Sequence, residues 1–386
     1  MQPPSFRIWI KRPSVRLAAA LAVLAAIGFA IGVALTDEDP APLTPVAAVV
    51  VPMPGPIVAN ALPVRVPDRP SPARLTRAED EVEVCGAGWV AAPPMGTPDE
   101  ATLLSAPGIG EARRAIGASL SAGPDEFGRA VALWVDAIDD PSLEARRNLL
   151  AREATATRDP RVYALAFRNC LGKTGAGGAC TMLTAEQWAR LDPGNAMPWL
   201  YALDAAVSRH DTAARDEAIY QISVARRIED RMFAAPAAIV DHAPDDDRSA
   251  LAAWTMAVRA IGMSATQTMP LQTLMQSCGR ADLADANRRQ VCSAIADLLM
   301  KRSDSLLLQT LGGGLGRRLG NDAEALDKSR IEINALLTAT SSTSLACADV
   351  RRELRRFQRT VRIGEVQAMR EQVSSAPLYS AAPPAR

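Results

Sequence analysis

The sequence predicts an all-α exported domain, held to a membrane by one N-terminal helix and a proline-rich stalk. Three observations carry this reading. An uncharged apolar run lies near the N-terminus, apolar residues then recur at helical spacing across most of the chain, and only 16 of 386 residues are aromatic. A core so poor in rings must be built from Ala, Leu, Val, Ile and Met, which suits closely packed helices. Lys plus Arg (43) balances Asp plus Glu (43), which excludes the strongly charged overall field of a general polyanion binder.

Residues 17–35, LAAALAVLAAIGFAIGVAL, carry no charge. At about 1.5 Å per residue they span the roughly 30 Å hydrocarbon layer. Arg7, Lys11, Arg12 and Arg16 precede the run, and Asp37, Glu38 and Asp39 follow it. The positive-inside rule therefore keeps residues 1–16 cytoplasmic and exports the rest. A cleaved signal peptide, with processing near Ala34-Leu35-Thr36, is the competing reading, but the run is longer than the usual signal core. Gly28 and Gly32 form a GxxxG pair that would let two such helices dimerise. Residues 36–78 hold ten prolines and read as a linker able to extend to roughly 130 Å.

All six cysteines, Cys85, Cys170, Cys180, Cys278, Cys292 and Cys347, lie on the exported side, as expected of disulfides in an oxidising compartment. Fifteen connectivities exist for six cysteines. Pairing Cys170 with Cys180 and Cys278 with Cys292 costs least chain entropy, and leaves Cys85 for Cys347. Arg outnumbers Lys 39 to 4, the codon habit of a GC-rich bacterial genome, which points to an inner-membrane anchor and a periplasmic domain.

Residues 79–374 read as helical throughout, about a dozen helices with a subdivision near 270, before a tail at 375–386. Phe127, Val131, Trp134 and Ile138 repeat at 4, 3, 4, and Leu251, Trp254, Val258 and Ile261 at 3, 4, 3. Helix starts are marked by Thr97-Pro98-Asp99-Glu100, Asp140-Pro141, Asp159-Pro160, Thr184 with Gln187, and Asn321 with Glu324. No alternating run flanked by hairpin turns is expected.

Asp159-Pro160 and Asp192-Pro193 stand 33 residues apart, near the period of helix-pair repeats. Residues 191–211, LDPGNAMPWLYALDAAVSRHD, with Pro193 at the boundary, Asn195-Ala196 leading into a helix, Trp199 on its inner face and Asp211 before the next helix, resemble the tetratricopeptide family over about residues 159–228. The resemblance implies an antiparallel helical scaffold that binds other proteins and performs no chemistry, with Trp199, Tyr201 and Asp204 as the partner-binding residues.

Other patterns in the sequence resemble sites. Leu104 to Ile116, with Pro107 to Gly110 at its turn, resembles the hairpin of helix-hairpin-helix DNA-binding modules and would imply a tethered DNA-uptake module; a tight glycine turn explains it as well, and nucleic acid is not an expected partner. Gly172-Lys173-Thr174 lacks the upstream glycine of a phosphate loop, and residues 312–320, GGGLGRRLG, follow no strand, so neither predicts a nucleotide site. Asp241, His242, Asp245, Asp246 and Asp247 could hold a cation, but acidic residues also suit a helix start near Arg248. An envelope hydrolase would have to use His210 or His242, the only histidines. No hydrolase signature accompanies them. The last helix bears Arg351, Arg352, Arg355, Arg356, Arg359 and Arg362 beside a seam of Val350, Leu354, Phe357, Val361 and Gly364, with Glu353 and Glu365 as expected partners of the arginines. The sequence thus predicts no catalytic residue, no cofactor and no metal, and an envelope protein as partner.

Overall fold

A computed structural model describes residues 81–91, 100–136, 143–171, 178–266, 270–279, 282–321, 323–340 and 344–375. The candidate membrane helix at 17–35, the Gly28/Gly32 pair, the linker and the tail lie outside these residues. Among the described residues no helix is long and apolar enough to cross a membrane.

The described chain is α-helical apart from one antiparallel hairpin, β1 (Glu81–Val84) and β2 (Gly88–Ala91), which corrects the expectation of unbroken helix from residue 79. The cause is local: Glu81-Val82-Glu83-Val84 alternates with the strand period, and Gly86 and Gly88 take the positive φ values, 72° and 81°, that the turn demands. Gly86 also lies against the backbone of Arg248, where a Cβ would come within 2.7 Å, so the turn seats directly on another element.

Among the described residues, sixteen α-helices follow. The first group is α1 (Glu100–Ser105), α2 (Ile109–Ala122), α3 (Glu126–Asp136), α4 (Leu143–Ala156), α5 (Pro160–Cys170), α6 (Ala185–Leu191), α7 (Met197–Ser208) and α8 (Thr212–Val224). The second is α9 (Ala234–Asp241), α10 (Asp247–Thr266), α11 (Leu271–Ser277), α12 (Ala286–Arg302), α13 (Leu306–Arg318), α14 (Ala323–Thr340), α15 (Cys347–Ile363) and α16 (Glu365–Ser375). Local chemistry sets several starts. Asp159 accepts the Arg161 N–H ahead of Pro160, Thr184 and Gln187 form a reciprocal capping box, and Asp211 and Asp285 accept N–H groups three residues on. The Thr97 and Asp140 signals fall outside the described residues.

Consecutive helices pack as neighbours from α2 through α8; α8 then meets α12, which leads through α13, α14 and α16 to α15. Helix α15 in turn packs on α9 and α10, and these return to α3 and α2, so the succession of neighbours closes on itself. Small residues permit the close approach. Ala250, Ala252, Ala253, Ala257 and Ala260 bury one face of α10, and Gly312 brings α13 so near α12 that a Cβ there would lie 2.7 Å from that of Leu299. Within the glycine run at 312–320, Gly312 is therefore a helix-packing device, while Gly320 ends the helix at a positive φ of 78°. On α15, Val350, Leu354 and Phe357 are buried as expected, but Val361 is 52% exposed and Thr360 takes its inward place.

Three disulfides brace the helices. Cys170 bonds Cys180, Cys278 bonds Cys292, and Cys85 bonds Cys347 across 262 residues, joining the hairpin turn to the start of α15. The Cys85 N–H donates to the Leu345 carbonyl at 2.9 Å and reinforces that closure.

Candidate functional site: a polar cleft and a buried ionic hub

Trp199, Tyr201 and Asp204 all lie on α7, in three environments. Trp199 is half-buried. Tyr201 is 6% exposed and packs its ring edge-on to Phe167, with centroids 5.3 Å apart, in an interior cluster that includes Trp188. Burial pushes its hydroxyl pKa up to about 12. Asp204 is exposed and accepts a hydrogen bond from the Thr273 hydroxyl of α11. Asp204 is linked through Thr273 to the lining of an open feature, although it does not line that feature itself.

That feature is a cleft of about 180 Å³ between the α7–α8 hairpin and the α11–α12 region. Arg215 of α8 and Arg288 of α12 line it together with Thr273, Gln276 and Ser277 of α11 and with Asp282. Asp216 fixes the arginines, accepting from Arg288 at 2.7 Å and from Arg215 at 3.0 Å. Burial alone would raise the Asp216 carboxyl, but the hydrogen bonds from Arg288 and Arg215 hold it below the ordinary range. The cleft thus offers two oriented guanidinium groups amid neutral donors and acceptors and the Asp282 carboxylate, a mixed polar lining that suits a peptide segment.

At the other end of α7, α8 and α12 lies a hub that local sequence reading missed. The segment between α8 and α9, Arg226-Arg227-Ile228-Glu229-Asp230-Arg231, looks like solvated loop but is strapped into the interior. The Arg226 and Arg227 N–H groups donate to the Gly194 carbonyl, and the Ile228 N–H donates to the Arg302 carbonyl. Asn195, fully buried, accepts from the Met197 and Glu229 N–H groups and donates to Asp192. Asp192, 2% exposed, pairs with both Arg227 and Arg231. From the other side the Asp304 carboxylate accepts the N–H groups of Asp230 and Arg231 at 3.0 and 3.1 Å, which holds Arg231 at a φ of 56°. Burial, then the charge of Asp230, raises the Asp304 carboxyl well above the ordinary range, and burial raises Asp230.

Glu365, expected as a surface partner of the arginine helix, instead accepts the Leu306 N–H at the start of α13 and is raised by burial. The acidic residues near 241–247 and the basic α15 satisfy each other. Arg351 bridges Asp245 and Asp247 at 2.6 and 3.1 Å, Gln358 donates to Asp241, and Asp246 caps α10 through Ser249. Arg356 turns to Glu353, and Arg359 to Glu371. Cys85, Asp247 and Cys347 stand close enough to hold a metal, but the two sulfurs are bonded to each other and offer no thiolate.

His242 sets Nδ1 2.9 Å from the Ala238 carbonyl, and His210 sits exposed at positive φ in the α7–α8 turn; among the described residues neither ring is hydrogen-bonded to a hydroxyl. At the Pro107–Gly110 turn, Gly108 faces Arg248, whose Cδ would lie 3.1 Å from an added Cβ. Fold and site together describe an all-helical, disulfide-braced domain with a polar cleft. In comparison with known proteins, no family model matches the chain, and no curated protein or solved structure is similar to it.

Proposed function

We propose that this chain is a scaffold of the bacterial envelope rather than an enzyme, anchored in the inner membrane by residues 17–35, with its helical domain in the periplasm binding a partner protein. The observation that carries the reading is the 180 Å³ cleft lined by Thr273, the hydrogen-bond partner of Asp204, and walled by two arginines held in place by Asp216. Helical-repeat proteins bind chiefly through surfaces between successive hairpins, and paired guanidinium groups favour an acidic or C-terminal peptide segment. Disulfides and an apolar N-terminal run support the exported location.

The test is site-specific photo-crosslinking in cells expressing the full chain. A crosslinker at Gln276 captures a defined partner; one on the far side, at Lys328, does not; and Arg288→Glu abolishes the Gln276 adduct. Equal capture from both positions, or capture indifferent to Arg288, would overturn the assignment. Adducts with only a second copy of this chain would replace it with a self-associating role.

A further inference from the structure

Asp304 joins three elements at one corner. Its carbonyl accepts the Glu365 N–H at the start of α16, 2.9 Å away, while its carboxylate holds the strap through the Asp230 and Arg231 N–H groups. Glu365 returns the contact by accepting the Leu306 N–H of α13 at 2.8 Å. Asp230, 2% exposed, accepts from the Met232 N–H. Three carboxylates thus meet where the strap, α13 and α16 touch.

Among the described residues no basic side chain is bonded to any of the three. Facing Asp230 are Arg168 of α5, the Ser305 hydroxyl and Tyr201 of α7; facing Asp304 are Asp230 and Glu229; facing Glu365 are Asp230 and Arg356 of α15. Arg356 is committed to Glu353, and Arg231 turns to Asp192 and Glu229. The bound N–H groups favour ionised carboxylates, but burial outweighs them and raises all three, Asp304 well above the ordinary range.

What the corner holds is lightly built. Leu306, Ile333, Leu336, Val366 and Met369, from α13, α14 and α16, form a second core apart from the main one. With only these five buried side chains between them, α14 and α16 are the elements that open at least cost.

We infer that this corner is a pH-dependent clasp, which holds α14 and α16 to the body in acid and lets them open locally as its carboxylates ionise, baring the apolar side chains of the second core. The closed corner binds more protons than the open one. Its hold is therefore fully present below the ordinary carboxyl values of 3.8 and 4.5 and is lost as pH rises through the raised ones, by up to about tenfold per pH unit for each linked proton. The device is independent of what occupies the polar cleft.

Hydrogen exchange of the full chain, followed by mass spectrometry at pH 5 and pH 8 and corrected for the intrinsic rate, reads the clasp. Protection across residues 323–340 and 365–375 falls by at least about tenfold at the higher pH. Exchange there is faster than in α10 and little affected by mild urea, as local opening requires. Glu365→Gln, whose side-chain oxygen still accepts the Leu306 N–H, reduces the pH dependence several-fold. Should that variant fold poorly, Asp304→Asn gives the same reduction. Equal protection at the two pH values, α14 and α16 exchanging in step with α10, or a pH dependence that survives both substitutions would overturn the assignment.

Discussion

Gly312 and Gly313 are adjacent in α13, yet an added methyl group meets opposite surroundings at the two positions. At Gly312 it would come 2.7 Å from Leu299 Cβ and 2.8 Å from the Met300 backbone nitrogen, whereas at Gly313 nothing lies within 4 Å. Gly312→Ala should therefore destabilise by about 1–3 kcal/mol through overpacking. Gly313→Ala should stabilise by about 0.5–1 kcal/mol through helix propensity. Urea unfolding of the two variants checks the opposite signs. The Asp230 and Asp304 pair makes a second residue-scale prediction. Because burial raises both carboxyls in the folded protein, their contribution to stability is fully present below the unfolded value of 3.8 and is lost as pH rises through the raised folded values. Asp230→Asn keeps an oxygen for the Met232 N–H and removes the like charge. Its stability should match or exceed that of the natural chain at pH 8, the advantage shrinking toward pH 4, as thermal melts across that range would show.

At the scale of elements, what could be read from the sequence was what is local. A cap and its N–H lie two or three residues apart, so Asp159-Pro160 and the Thr184/Gln187 box mark real helix starts, and the 10- and 14-residue separations made two disulfides the cheapest pairings. The strap was illegible because its partners are remote: Asn195 reaches Glu229 across 34 residues, and Asp304 reaches Asp230 across 74. A run as charged as Arg-Arg-Ile-Glu-Asp-Arg looks solvated until those partners are supplied. The same blindness split the acidic residues near 245 from the arginines near 351, which are each other's ligands. The hairpin is different: Glu81 to Val84 alternates in plain view, and only the helical pattern beyond it hid the signal. If the strap fastens the hairpins together, Asn195→Ala, which orphans the buried Met197 and Glu229 N–H groups, should cost about 2–4 kcal/mol in chemical denaturation. A loss below about 0.5 kcal/mol would show that the strap merely rests in place.

At the largest scale, the closing contact joins the hairpin to the penultimate described helix. Helix packing runs around from α2 to α15 and back, and the bond between Cys85 and Cys347 fastens the hairpin to α15 across 262 residues. In the chain-entropy picture a loop of that length makes the bond worth about 5 kcal/mol, so Cys85→Ser with Cys347→Ser should lower stability by several kcal/mol. The fold class was legible because composition and helical spacing speak for the whole chain at once. The cleft was not, since Arg215, Thr273 and Arg288 come from three separate helices. The decisive measurement is peptide mapping by mass spectrometry, without reduction, of full-length protein taken from the cell envelope after alkylation of free thiols. Linked peptides joining Cys85 to Cys347, Cys170 to Cys180 and Cys278 to Cys292, with no alkylated cysteine, are the predicted result. Six alkylated cysteines, or a different set of links, would contradict both the closed helical domain and the proposed location in an oxidising compartment.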